Sequence, residues 1–223
     1  RMENTLVLFL GDNGYAFPHG KGSLYDPGLN VPCLVRWPGH IAPGGVSDAL
    51  LSGEDLTPTC LDAAGVAVPA FMTGRSFLGL VTGGEYQPRQ HIFAERGVHG
   101  SATFNEQTTS SGYDLSRCVR SERFKLIYNC TPWMRYTPVD STRDPGWREM
   151  TAAHEAGRLP PEIDRAYFTS PRPIYELFDL TSDPGELHNL AGDPQFTAVE
   201  TELRHALLEK MIIDQDYLPL PPE

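Results

Sequence analysis

Asp12 and Asn13 sit together directly after an apolar run, and His19 and Lys21 follow within one short Gly/Pro-rich stretch. A carboxylate and a side-chain amide offer oxygen donors, which suit a hard divalent cation such as Ca²⁺ or Mg²⁺. An ammonium close by offers a counter-charge to an anion, and an imidazole titrates near neutrality and can move a proton. Together these side chains describe a site for an oxyanion ester. Asp-Asn-Gly is also a common turn, and a loop lysine is usually solvated, so the residue types leave a structural reading open.

The elements that would hold these side chains are legible by pattern. Residues 5–10 form a continuous apolar run closed by Gly11, as expected of a strand buried on both faces of a parallel sheet. Ligands in α/β folds collect beyond the carboxyl ends of such strands. Residues 14–30 read as an ordered loop, and residues 31–37 as a second strand stopped by Pro38 and Gly39. A helix is expected up to Ala64, with Asp55 as its cap, Pro58 in its first turn and Gly65 at its end. A Pro/Gly-punctuated connection follows, and the domain boundary is placed near residue 88. This gives an α/β part over residues 1–88 and a small α+β part over residues 89–223. The second part is predicted to hold strands at 91–95, 118–120, 124–128 and 174–180. The last alternates apolar and acidic residues, as a sheet with one solvated face would. Residues 147–157 have a helical look, and residues 194–214 carry apolar side chains at helical spacing.

Composition narrows the function classes. The chain has 223 residues, 40% of them hydrophobic, with a formal net charge of −11 and a pI near 5.0. Such acidity argues against a general nucleic-acid surface, which needs a basic stripe. No apolar stretch approaches a membrane span, and no signal peptide is visible. Cys33, Cys60, Cys118 and Cys130 form no CxxC pair. Cys33 and Cys60 read as buried thiols, and Cys118 and Cys130 could face each other across a hairpin.

Longer strings carry a resemblance. Asp12-Asn13-Gly14, Gly20-Lys21-Gly22-Ser23-Leu24-Tyr25, Gly28, Val31-Pro32 and Arg36-Trp37-Pro38-Gly39 occur in the order found in the second half of a type I sulfatase. Asp55-Leu56 with Pro58-Thr59, Gly74-Arg75-Ser76, the run from Ile174 to Leu180, Asp183-Pro184 with Glu186, and Asn189-Leu190-Ala191 extend the series across nearly the whole chain. Phe17-Pro18, Tyr25 with Pro27-Gly28, and Asp193-Pro194-Gln195-Phe196 resemble the sulfamidases, the N-sulfoglucosamine sulfohydrolases, most closely.

The resemblance implies an alkaline-phosphatase-like fold: a mostly parallel sheet with a flanking helix, followed by a small antiparallel-sheet subdomain with a C-terminal helix. It implies a sulfated carbohydrate substrate, calcium at Asp12 and Asn13 (Mg²⁺ being the other candidate), and Lys21 as the sulfate clamp. His19 could protonate the leaving group or bind sulfate, and Glu95 and His99 could contact the sugar. Arg117 and Arg120 could read a carboxylate, although strand-edge arginines more often serve structure, and Glu176 and Asp179 read as solvated. The family's nucleophile is a formylglycine made within C/S-x-P-x-R. Cys130-Thr131-Pro132-Trp133-Met134-Arg135 comes near that motif, but its arginine is one residue late and in the wrong part of the chain. The nucleophile is therefore expected in an N-terminal half of the same enzyme, which would be this chain's partner, and residence would be periplasmic, secreted or lysosomal. A phosphodiesterase or phosphonate hydrolase of the same superfamily, and a catalytically inactive carbohydrate-binding module, are the alternatives.

Overall fold

A computed structural model describes residues 2–98 and 114–219. In chain order these form β1 (Val7–Leu10), α1 (Asp26–Leu29), β2 (Cys33–Arg36), α2 (Leu56–Ala63) and α3 (Leu78–Thr82). There follow β3 (Ile92–Arg96), β4 (Ser116–Arg120), β5 (Phe124–Asn129), α4 (Pro145–Glu155), α5 (Pro161–Phe168), β6 (Tyr175–Asp179) and α6 (Thr197–Ile213). The chain divides into two compact units, one of residues 1–11 and 32–92, the other of residues 12–31 and 93–223. The loop carrying Asp12, His19 and Lys21 thus belongs to the unit built mainly from the C-terminal residues.

In the first unit β1 and β2 pair antiparallel, from Val7 opposite Arg36 to Leu10 opposite Cys33. They are not buried on both faces as their apolar character suggested: Phe9 is 61% and Leu34 64% exposed. Cys33 and Cys60 are likewise exposed rather than buried. An open groove of about 430 Å³, lined by Leu6, Leu8, Trp37, Cys60, Ala63 and Ala64, leaves these apolar side chains uncovered. Asp55 does not cap α2 with its side chain. It stands at the N-cap position, but its buried carboxylate instead accepts from the Ser52 and Arg75 amides at 2.9 and 2.7 Å and pairs with the Arg89 guanidinium. Gly74 is required beside it, since a Cβ there would meet the Glu54 carbonyl oxygen at 1.9 Å.

The second unit is a four-stranded sheet in the order β3-β4-β5-β6. β4 and β5 pair antiparallel from Ser116 opposite Asn129 to Arg120 opposite Lys125, and β5 and β6 from Phe124 opposite Asp179 to Tyr128 opposite Tyr175. Side chains alternate between the faces. One face packs Val119, Leu126, Tyr128, Tyr175 and Leu177 against Leu203, Leu207 and Met211 of α6. The other packs Cys118, Ile127 and Phe178 against Leu24 and Tyr25 of the 12–31 loop.

This second layer overturns the expectation of a solvated face on β6, all five of whose residues are buried. Glu176 and Asp179 are 7% and 3% exposed, each held by partners rather than by water. Asp179 forms a two-point pair with Arg123, at 3.0 and 2.7 Å, which holds its carboxyl down to about 2. Cys118 and Cys130 do not face each other: Cys118 lies opposite Ile127, and the Cys130 amide bonds the Leu115 carbonyl at 2.9 Å.

Candidate active site

The loop that carries the candidate residues is a tight backbone knot. The Gly20 amide donates to the Phe17 carbonyl at 2.8 Å and the Lys21 amide to the Tyr15 carbonyl at 2.9 Å. A Cβ at Gly20 would meet that Tyr15 oxygen at 2.1 Å, so only glycine fits.

Behind the loop lies a network of buried charges. Lys125, fully buried on β5, pairs with Asp26 of α1 and lies 2.8 Å from Glu186 Oε1. Glu186 Oε2 accepts the Asp26 backbone N–H at 2.5 Å, and Arg120 approaches both Asp26 oxygens at 3.3 Å. Burial would raise the Asp26 carboxyl, but the Lys125 and Arg120 charges overturn that and hold it below its ordinary range. One residue earlier, the Tyr25 hydroxyl donates to Glu176 Oε2 at 2.8 Å, while Asn129 Nδ2 donates to Oε1 at 2.6 Å. Burial raises Glu176 in spite of both bonds. A carboxylate and an ammonium inside a sheet are costly unless paired. Here their partners lie on the loop and beside it, so the pairs fix the loop's register on the sheet.

Lys21 projects from this platform with its side chain 36% exposed, and its Nζ lies 2.8 Å from Asp140 Oδ2. The Asp140 carboxylate raises the Lys21 ammonium above its ordinary value, by hydrogen bond and by charge, with a smaller contribution of the same sign from Asp12. Asp12 and Asn13 are exposed at the start of the loop. Asn13 Nδ2 donates to the Gly14 carbonyl at 2.8 Å, a bond that leaves its Oδ1 for another partner.

His19 is not at a rim. It is 2% exposed, with its ring stacked between Tyr25 at 3.7 Å and Tyr167 of α5 at 3.9 Å and met edge-on by Tyr136 at 5.0 Å. Its backbone N–H donates to the Tyr136 hydroxyl at 2.5 Å, and its φ of 59° is in the left-handed region, which histidine tolerates better than most residues. Burial pulls the imidazole down to about 3; the Ala166 carbonyl partly offsets this, while the charges of Arg172 and Lys125 add to it.

The structure brings Asp12, Asn13, His19 and Lys21 onto one loop, and places Glu95 in a different setting. Glu95 is a 73% exposed side chain on β3, 3.6 Å from Arg117, which is itself clasped by Asp216 at 2.5 and 3.0 Å. His99 lies outside the described residues. Among the described residues no group of three or more His, Cys, Asp or Glu side chains could hold a metal. Asp12 and Asn13 supply two hard oxygen donors, which fits part of a calcium shell and leaves the remaining ligands to other groups. The Cys130 thiol, which follows β5, is pushed up to about 11 by burial, the reverse of an activated nucleophile.

Three features escaped the sequence. Asp140 lies in a Pro- and Thr-flanked segment with no pattern. Tyr167 is on the short helix α5, eight residues within a stretch rich in Pro, Arg and aromatic residues. In the Lys125–Asp26–Glu186 network only Lys125 was detectable, as a charge among apolar neighbours on β5; Asp26 on α1 and Glu186 beyond β6 carry no such sign.

The arrangement is a cation paired with Asp140 on a glycine-locked loop, with two oxygen donors at the start of the same loop, packed on the antiparallel sheet of the second unit. Solved structures share the fold. A protein in complex with its substrate D-glucosamine-2-N,6-O-disulfate superposes with a TM-score of 0.66 at 22% identity, covering 99% of this chain and 37% of its own. The phosphonate monoester hydrolase of Silicibacter pomeroyi superposes with a TM-score of 0.62 at 23% identity, covering 96% and 35%. Residues 14–159 match the family model described as N-sulphoglucosamine sulphohydrolase, C-terminal, and the chain belongs to that family. It is 34% identical over 209 residues to an ulvan-active sulfatase of Formosa agariphila, covering 92% of this chain and 33% of the relative. It is also 34% identical over 221 residues to the N-sulphoglucosamine sulphohydrolase of Homo sapiens, covering 92% and 41%. The chain thus spans between about a third and two fifths of the length of these curated relatives.

Proposed function

We propose that this chain is the C-terminal portion of a sulfatase that hydrolyses sulfate esters or N-sulfates of a sulfated sugar. The observation that carries the reading is the Lys21 ammonium on a loop whose Tyr25 and Asp26 are bonded into the buried charge network. Sulfate transfer places negative charge on the departing group, and a fixed cation stabilises that charge most when it need not reorganise. Asp12 and Asn13 would hold a calcium ion; when bound, it would supply positive charge to the sulfate oxygens.

The nucleophile, which the family resemblance implies is a formylglycine, is assigned to residues outside this chain, which contains no C/S-x-P-x-R. His19 is assigned to positioning: a ring that titrates at about 3 and is clamped between two tyrosines is neutral at working pH and holds the Lys21 loop. Glu95 and His99 remain proposed contacts for the sugar. Among the described residues no helix is long and apolar enough to cross a membrane; the family resemblance implies a periplasmic, secreted or lysosomal setting.

The test is sulfate release from glucosamine N-sulfate and from 4-nitrophenyl sulfate by the full product of the gene. Turnover is expected, and Lys21→Ala is expected to lower kcat about 100- to 1,000-fold, the usual cost of removing one electrostatic stabiliser. No release by the unsubstituted protein, or full activity in the variant, would refute the assignment.

A further inference from the structure

The partner of Lys21 is the least expected part of the site. A carboxylate next to a cation that is to hold a sulfate works against the binding of any anion, because it cancels part of the attraction and repels the substrate. An incidental surface pair would be free to swing away, but this one is built in. Gly22, with φ +76°, lies so close to the neighbouring loop that a Cβ would meet Val139 Cγ2 at 2.3 Å. The residues flanking the pair on either side are therefore in contact: Gly22 follows Lys21, and Val139 precedes Asp140. A few residues away the His19 N–H donates to the Tyr136 hydroxyl at 2.5 Å, and the Ser141 side chain beyond Asp140 is buried. The backbone on both sides of the pair is thus packed, while the two charged heads stay open, at 36% and 42% exposure.

We propose that Asp140 is a specificity-determining residue: its carboxylate, held against Lys21, accepts a hydrogen bond from an N–H or O–H donor of the sugar beside the sulfate group. The inference rests on the reading of Lys21 as the sulfate clamp. Lys21 can donate to a sulfate oxygen and to Asp140 at once, since an ammonium has three donors. Asp140 has a second oxygen and spare lone pairs for the substrate. An anion with no donor beside its charge meets only the repulsion, whereas a sulfamate or a hydroxylated sugar sulfate recovers it as a charge-assisted hydrogen bond. The pair thereby selects sulfated amino sugars and polyols over donor-free sulfates, which is discrimination by a penalty on the wrong ligand.

The experiment compares Asp140→Asn and Asp140→Ala with the unsubstituted full gene product on three substrates. These are glucosamine N-sulfate, whose donors beside the sulfate are the sulfamate N–H and ring hydroxyls; N-acetylglucosamine 6-sulfate, whose donors beside the sulfate are ring hydroxyls alone; and 4-nitrophenyl sulfate, which has none. For the sugars, kcat/KM is expected to fall about 10- to 100-fold, the range for a lost hydrogen bond to a charged group. For 4-nitrophenyl sulfate it is expected to rise about 2- to 5-fold as the repulsion is removed. A fall confined to the N-sulfate assigns the N–H, and a fall on both sugars assigns a hydroxyl. Sugars and aryl sulfate moving together, down or not at all, would overturn the proposal while leaving the sulfatase reading standing. No sulfate release by the unsubstituted protein would sink the activity itself and the inference with it.

Discussion

Placing His19 between two tyrosines has a thermodynamic consequence that can be worked through. An unfolded histidine titrates at about 6.5; in the fold the ring titrates at about 3. A base whose folded value is depressed stabilises the fold fully above its unfolded value and loses that contribution as pH falls toward the folded one. Between pH 7.5 and pH 5.0 the unfolded chain takes up nearly one proton at this site and the folded chain almost none. Integrating over that window gives about 2 kcal/mol, from about 1.4 kcal/mol for each unit of pH below 6.5. His19→Asn tests this, because asparagine tolerates the φ of 59° and does not titrate. The lost ring stacking lowers stability equally at both pH values and cancels. Urea unfolding of this chain and of the variant at pH 7.5 and pH 5.0 gives the four free energies needed. The unsubstituted chain should lose about 2 kcal/mol more than the variant on acidification. A difference under about 0.5 kcal/mol would show that the imidazole is reached by protons in the folded state, and would return it to consideration as a proton donor.

Other perturbations follow from the same packing. Lys125→Met leaves Glu186 buried without its cation and Asp26 with Arg120 alone, and should cost about 3–5 kcal/mol by chemical denaturation; Lys125→Met combined with Glu186→Gln should recover part of that loss. Leu203→Ala opens a cavity between α6 and the sheet at a side chain with no exposure, and should cost about 2–5 kcal/mol, read as a fall in denaturation midpoint at constant m-value. Gly22→Ala drives a methyl into Val139 at a left-handed φ; it should lower kcat/KM for sulfated sugars in the full gene product about 10-fold or more, as misplacement of a positioning group does, with only a modest shift in thermal midpoint.

The elements whose burial is settled by near neighbours were readable from the sequence. Residues 118–120 and 124–128 became β4 and β5 around the Ser121–Arg123 turn, and residues 194–214 became a 3₁₀ turn leading into α6. The strand-like composition of the first two and the helical spacing of the third reflect faces covered by elements adjacent in space. The faces of β1 and β2 and of β6 were misjudged for opposite reasons. An apolar run reports that a surface is meant to be covered, and in Val7–Leu10 that surface is exposed within this chain. An acidic alternation reports that water is the usual neighbour, and in β6 the neighbour is instead the 12–31 loop, more than 140 residues earlier, with Tyr25 and Asn129 bonding Glu176. Sequence pattern records polarity and not partners, so a buried ion pair between distant segments looks the same as two solvated charges.

The same point separates Lys21 from the residues around it. Its type and its place after Gly20 were enough to nominate it, whereas the properties that make it a usable clamp are held elsewhere. The Tyr15 carbonyl and Val139 close on the glycines to either side of it, Lys125 and Glu186 fix the segment that follows, and Tyr136 and Tyr167 immobilise His19 two residues before. Each of these contacts costs conformational freedom that a surface loop would ordinarily keep. Rigid support of one exposed ammonium by so many buried groups is hard to account for as stability alone, since a solvated lysine paired with one carboxylate contributes little to it. It is accounted for if the position of the charge is what matters. In that case substitutions in the support, which touch no substrate, should lower kcat more than they raise KM, and substitutions at Asp140 should do the reverse on the sugars.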